Sequence, residues 1–408
     1  MNSLSDIYIF LPCCFKESAD IEDLPSPALT EEAKKFLEIM HATSAYECAG
    51  ELSGELHRRF LGTFYFACCD DDYEDVLPEI LPDSRRFAAV RASFYLTLHP
   101  AAGLSTLLIA LPQSAYDSTQ IADQISVEYL YISREENGSY ELLTDFIAKA
   151  FSLIRLDAPK AVFSLPEKPQ PLQKMECMLA GTAYNSRHVH YQVHSSSITE
   201  AASDNIAQFD FYEAYVSSRF LIYVLKTFTE NYLDNMEDEA AMLFICELIL
   251  FQNGAITRTN RKIVKELTSP TRISLKTIEE MNTEFGKTIE FWNLGNFQYA
   301  PVQLLSERIS QAFGTTELLE RYSRNREHLE HIVDLKGSQS AEREGKIINF
   351  IAIFLAVIQI IPLVLEWGGY LSDSPRLLQT LGGLSIALFL FVLAWFLRRR
   401  NRKRRRIS

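Results

Sequence analysis

The 408-residue chain has no glycine-rich phosphate loop, no nucleophile elbow and no metalloprotease helix, which argues against the common motif-bearing enzymes. Its seven cysteines (Cys13, Cys14, Cys48, Cys68, Cys69, Cys177, Cys246) lack metal-ligand spacing, and their odd number argues for reduced thiols. The start, Met1-Asn2-Ser3-Leu4-Ser5-Asp6, has no basic region followed by an apolar stretch, so no signal peptide is expected. Positive charge is scarce. The net charge is −13, and setting aside the eight cations of residues 398–408 leaves −21 for residues 1–397. Such a surface excludes nucleic acid as an expected partner and would attract divalent cations or basic ligands.

Long uncharged runs, by contrast, are present. Ile347 to Leu365 runs nineteen residues without charge, interrupted only by Asn349, Gln359 and Pro362. At 1.5 Å per residue this spans about 28 Å, the thickness of a hydrocarbon core. A second run of twenty-one residues, Leu377 to Leu397, follows a connector of eleven, Glu366 to Arg376. Two spans joined so tightly must be antiparallel. The cations Arg398, Arg399, Arg400, Arg402, Lys403, Arg404, Arg405 and Arg406 directly follow the second run and place the C-terminus in the cytosol. Trp367 and Tyr370 at one end, and Trp395 at the other, stand where interfacial aromatics are expected. The expectation is a multi-pass protein of the cell (inner) membrane, with both termini cytoplasmic and lipid as a partner.

The fold class expected is α+β, with an N-terminal α/β domain over residues 1–165, a mainly helical region over 166–313, a stalk helix over 314–346, a transmembrane hairpin over 347–397 and a basic tail over 398–408. Ile7 to Leu11, Gly62 to Cys69, Phe87 to Leu98 and Leu107 to Leu111 read as strands, and Thr30 to Met40 and Glu141 to Leu156 as helices. Three prolines in Pro166-Glu167-Lys168-Pro169-Gln170-Pro171 mark a break. After a strand-like run at Arg187 to His194, helices are expected at Phe209–Tyr232, Asp238–Phe251, Thr257–Leu267, Ser274–Phe291 and Val302–Phe313. From Glu317 to Lys336 the residues Leu318, Tyr322, Asn325, Leu329, Ile332 and Lys336 share one helical seam. Asn325 would set the register if that seam oligomerises; the alternative is a packing face within one chain.

In the first run, Asn349, Ala352, Ala356, Gln359 and Leu363 fall within an arc of about 80° on a helical wheel. Two amides gathered on one side are costly in hydrocarbon, so the stripe should face protein or water. In a ring of chains these five residues would line a pore; in a plain bundle they would only hydrogen-bond across a helix interface. Neither run holds an ionisable group, which suits passive permeation better than proton coupling.

An acidic α/β domain, a helical region, a long helix running into two C-terminal spans, a short external loop and a basic end resemble the CorA-like divalent metal ion transporters. The resemblance implies a homopentamer with a cation pore and magnesium as a transported or regulatory ion. The family's Gly-Met-Asn motif after the first span is absent, and the loop reads Glu366-Trp367-Gly368-Gly369-Tyr370. Glu366 and Asp373 are left as the external carboxylates able to attract cations. Divergent CorA-like proteins also serve as membrane effectors of bacterial antiviral (CRISPR-type) systems, which implies a small nucleotide ligand for the cytosolic part.

Two weaker metal candidates remain. His188, His190 and His194 share a strand face and could bind zinc, although Val189, Tyr191 and Val193 make that face the solvated side of a half-buried strand. Asp70, Asp71 and Asp72 could hold a divalent ion between subunits, although a solvated loop after a strand explains them better. The expected function is a homo-oligomeric cation channel or transporter gated by its cytosolic domain. Its rivals are a messenger-activated membrane effector and a membrane-tethered scaffold without a pore. No enzyme activity is expected.

Overall fold

The computed structural model describes residues 7–16, 24–47, 56–68, 89–112, 117–184 apart from 137, 196–226 apart from 208, 232–268 and 299–332. Isolated positions such as Met281, Phe297, Asn349 and Ala352 are described as well. The chain divides into two compact units, Met1–Leu329 and Glu330–Ser408. The first is a mixed α/β structure built on one ten-stranded sheet.

Its strands are β1 (Ile7–Phe15), β2 (His57–Cys68), β3 (Val90–His99), β4 (Leu104–Leu111), β5 (Leu130–Ser133), β6 (Glu141–Leu142), β7 (Leu153–Arg155), β8 (Lys160–Leu165), β9 (Tyr212–Val216) and β10 (Phe220–Leu225). They lie in the order β6-β5-β2-β3-β4-β1-β8-β10-β9, with β7 pairing β1. Neighbours are antiparallel except for β8 and β10, which run parallel. The central strands are near-continuous apolar runs because both faces of the sheet are covered. In β1, Tyr8 and Phe10 join one core, while Ile7, Ile9, Leu11 and Cys13 join the other. All eight residues of β4 are buried.

One face packs against α1 (Glu31–Glu47), α6 (Tyr232–Thr268) and α7 (Ala300–Ala312). The other packs against α2 (Ser118–Val127), α3 (Leu143–Ala150), α4 (Leu172–Ala180) and α5 (Ser196–Ser203). An aromatic knot sits on that second side: Phe64 meets Phe94 at 4.8 Å and Phe146 at 5.1 Å between ring centroids, both edge-on. Helix α8 covers residues 315–332.

Several expected elements change. The helix expected over Phe209–Tyr232 is instead the hairpin of β9 and β10 around Ser217-Ser218-Arg219. Its aromatic and β-branched residues alternate, with Tyr212 and Ala214 toward one core and Tyr215 toward the other. The helix expected over Glu141–Leu156 shortens to α3, and its ends become β6 and β7. Prolines 166–171 do interrupt regular structure, yet β9 and β10 return to the same sheet, so the compact unit continues past them. A parallel β8–β10 pair requires a long crossover, and residues 166–219 supply it.

The two helices expected at Asp238–Phe251 and Thr257–Leu267 are one, α6, which passes through Gly254. A Cβ there would stand 3.4 Å from Leu156 Cδ1 and 3.7 Å from Pro12 Cβ, ordinary contact distances, so the helix passes Gly254 packed against the sheet without a turn. Among the described residues α6 is the one helix long and apolar enough to cross a membrane by length and composition, with a mean hydropathy of 1.6 over its most apolar 18 residues within Met236–Thr268. Of those 18 residues 89% are buried inside the protein, and Glu239, Glu247, Gln252, Asn253 and Thr259 are buried along the helix. The runs Ile347–Leu365 and Leu377–Leu397 lie outside the described residues apart from Ile348, Asn349 and Ala352.

The seam on α8 packs within the chain. Tyr322 and Leu329 are buried against Ile256 and Ile263 of α6 and against Met281, and the Asn325 amide donates to Asn260 Oδ1 at 2.6 Å. The polar seam residue thus finds its partner on α6, as a packing face requires; Lys336 lies outside the described residues.

Candidate functional site

The carboxyl ends of β4 and β8 emerge at the same edge of the sheet, on either side of β1, whose Ile7 pairs with Leu111 and Phe163. Open α/β sheets place ligand sites at such strand ends. Here the chain opens a cavity of 350 Å³ between the loop before α2 and the proline segment before α4, within the range of small-molecule sites.

Local sequence builds both walls. Asp117 caps α2: its Oδ1 accepts from the Thr119 backbone amide at 2.8 Å and from the Thr119 hydroxyl at 2.6 Å. Thr119 Oγ1 in turn accepts from the Tyr184 amide. On the opposite wall Pro171 sets the start of α4, and Gly181 ends that helix in the left-handed region. Two helix amino ends therefore meet at the cavity, each with backbone N–H groups free of helical partners.

Two ammonium groups line it. Lys168 lies 4.4 Å from the centroid of the Tyr215 ring and donates to the Tyr215 oxygen at 2.9 Å. That phenol donates to Glu213 Oε2 at 2.5 Å, and Lys226 Nζ stands 3.1 Å from the other Glu213 oxygen. Burial pushes the Tyr215 phenol up, with Glu213 adding to it. The Tyr215 hydrogen bond and Lys226 hold the Glu213 carboxyl below its ordinary range. Lys174 stands 3.8 Å from Asp117 Oδ2 and 5.7 Å from the centroid of the Tyr184 ring. Asp117 and Glu167 balance the two lysines. The cavity therefore suits a polar ligand with both donors and acceptors rather than a bare anion.

At the other end of β8, Lys160 links the sheet to the corner between α7 and α8. Its Nζ donates to the Ser218 carbonyl at 2.6 Å and lies 5.3 Å from the centroid of the Phe313 ring, and burial lowers its pKa. Gly314 turns that corner at φ +81. Asn253 of α6, fully buried, donates to the Phe313 carbonyl at 3.5 Å and accepts from the Thr315 hydroxyl at 2.8 Å. The start of α8 is thus fastened to both sheet and long helix.

Of the residues singled out from sequence, Asn349 and Ala352 are helical and exposed. Ala356, Gln359, Leu363, Glu366, Asp373, Asp70, Asp71, Asp72, His188, His190 and His194 lie outside the described residues. Among the described residues no group of three or more His, Cys, Asp or Glu could hold a metal ion. Cys13, Cys14, Cys177 and Cys246 are free, and burial raises the pKa of each. Sequence reasoning missed Asp117, Lys168 and Lys174. The signals for them are Asp117-Ser118-Thr119 as a helix cap and Pro171 as a helix start. No family model, curated protein or solved structure matches the chain.

Proposed function

We propose that the chain is a homo-oligomeric, CorA-like cation channel or transporter of the cell membrane. Ile347–Leu365 and Leu377–Leu397 would anchor it, and the α/β unit would set its opening from the cytosol. The observation that carries this reading is the first uncharged run, which gathers Asn349, Ala352, Ala356, Gln359 and Leu363 on one side. Eight cations directly after the second run support a cytosolic C-terminus. The corner at Phe313-Gly314-Thr315, tied to Lys160 and Asn253, supports a route by which a change in the sheet reaches α8.

A second reading is favoured by one observation, the cavity at the ends of β4 and β8. A small polar ligand held by Lys168 and Lys174 would make the protein a membrane effector that stays shut until that ligand binds. A nucleotide messenger of an antiviral system fits this chemistry.

The test begins with the mass of the detergent-solubilised protein by light scattering, corrected for bound detergent. A ring of about five chains is expected from the CorA-like layout. Asn349→Leu and Gln359→Leu should then lower cation flux into liposomes without changing that mass. A monomer, or full flux in both variants, would remove the pore.

A further inference from the structure

We propose that the carboxyl-terminal end of α6 docks on the anionic headgroups of the cytosolic leaflet and so holds the α/β unit against the bilayer. This docking rests on the reading that Ile347–Leu365 and Leu377–Leu397 anchor the chain, and it does not depend on a pore. In a chain of net charge −13, residues 257–278 carry six cations, Arg258, Arg261, Lys262, Lys265, Arg272 and Lys276, against one carboxylate, Glu266. The upstream part of the same helix is the reverse: Tyr232 to Ile256 holds Asp234, Glu237, Asp238, Glu239 and Glu247 and no lysine or arginine. The helix dipole favours cations only in the last turn, so it does not account for Arg258, Arg261 and Lys262.

Packing puts these cations on one side of the helix. At 100° per residue, Arg258, Arg261, Lys262 and Lys265 fall within an arc of about 100°, and Ile256, Asn260 and Ile263 lie opposite. The opposite side is the one that meets α8: Ile256 and Ile263 share a cluster with Tyr322 and Leu329, and Asn260 accepts from Asn325. The carboxylates of α8, such as Glu320 and Glu327, thus lie across α6 from its basic side.

That basic side continues past the end of the sheet. Gly254 packs against Leu156 and Pro12, and one turn on, Arg258 Nη1 donates to the Gly103 carbonyl at 2.9 Å. Arg261 donates to the carbonyls of Arg155 at 3.2 Å and Leu156 at 2.7 Å. Both of these acceptors are neutral, so they hold the Arg261 guanidinium in place without cancelling its charge. Arg258, Arg261 and Lys262 converge on the Cys14 thiol, whose pKa they draw down against the rise that burial causes. Arg261, Lys262 and Lys265 are exposed. Two apolar side chains stand among them: Val264 is 42% exposed, and Ile154, opposite Cys14 and so on the α6 face of the sheet, is 43% exposed.

Exposed cations around exposed apolar side chains match a lipid interface, where basic groups meet anionic headgroups and apolar ones enter the boundary beneath. Chain length brings this surface within reach of the bilayer. Helix α8 runs beside α6 in the same direction, since Thr315 bonds Asn253 and Asn325 bonds Asn260. From Leu329, clustered with Ile263, the seventeen residues 330–346 lead to Ile347. They reach about 27 Å as a helix and about 60 Å fully extended. The eight cations after the second uncharged run favour the same leaflet.

The test reconstitutes the full-length protein into vesicles of phosphatidylcholine, with and without phosphatidylglycerol, and labels its lysines with a membrane-impermeant acetylating ester read by mass spectrometry. Labelling of Lys265 is taken relative to Lys34, exposed on α1, which cancels differences in orientation. That ratio should fall about fivefold or more on adding phosphatidylglycerol, the factor by which an anionic surface favours a single nearby cation, and should recover as salt rises. Arg261→Gln and Lys262→Gln should each return it toward the phosphatidylcholine value. If Arg261→Gln lowers the melting temperature, Lys262→Gln decides, because Lys262 is exposed. Equal ratios in both vesicles, with the protein retained through an alkaline carbonate wash, would overturn the docking alone. Loss of the protein in that wash would overturn the anchoring and the docking with it. A ratio already as low in detergent would show that protein, not lipid, covers Lys265 and would overturn the docking too.

Discussion

Replacing Glu247 by leucine should cost more stability than replacing it together with its partner. Arg58 and Glu247 form an ion pair with 7% and 1% of their side chains exposed, and the guanidinium also lies 5.5 Å from the centroid of the Phe244 ring. Two unit charges about 4 Å apart attract by about 4 kcal/mol at an effective dielectric constant of about 20. Removing each ion from water costs several kcal/mol, so the intact pair contributes little net stability. Glu247→Leu strands a buried guanidinium and should cost about 3–5 kcal/mol, whereas Arg58→Met with Glu247→Leu should fall within about 1–2 kcal/mol of the parent or exceed it. Urea unfolding of the full-length protein in detergent, followed by near-ultraviolet circular dichroism, measures both. A Glu247→Leu loss below about 1 kcal/mol, or a double variant weaker than either single one, would refute the reasoning.

Gly181→Ala should destabilise the unit by about 2–4 kcal/mol, because its φ is +72 and a Cβ would fall 1.8 Å from Ser126 Oγ and 2.7 Å from Phe220 Cε2; adding Ser126→Ala should restore part of the loss in the same urea assay. Glu213 is held below its ordinary 4.5, first by Tyr215 and then by Lys226. Its stabilising contribution is therefore complete above 4.5 and lost as pH falls through the lower folded value. Tyr215→Phe should move the acid-unfolding midpoint upward, which circular dichroism against pH measures.

The strands at the centre of the sheet were legible because burial on both faces makes them uninterrupted apolar runs, as in Ile7–Leu11 and Leu107–Leu111. The hairpin of β9 and β10 was not, since Phe209–Tyr232 is apolar enough to satisfy a helical period and only its Ser-Ser turn says otherwise. The gap expected between Phe251 and Thr257 contains Asn253-Gly254, residues that favour turns in isolation. Here tertiary contacts reverse their meaning: Asn253 fastens the α7–α8 corner, and Gly254 packs against Leu156 and Pro12 inside a continuous helix. The cavity was illegible because its parts stand up to 61 residues apart, from Asp117 to Met178, and only the topology joins them.

The placement of α6 also fixes an order of events during synthesis. The sheet face carrying Tyr8, Phe10 and Tyr95 is assembled from strands made early, but its main cover is a helix that ends only at Thr268. Residues 269–346, a stretch of 78, then separate that helix from the first uncharged run at Ile347. At about 5–20 residues per second their translation takes roughly 4–16 s. The ribosome therefore completes α6, and with it the cover of that face, before it begins the segment expected to enter the bilayer. In this interval one hydrophobic surface can be buried before the next uncharged run is made.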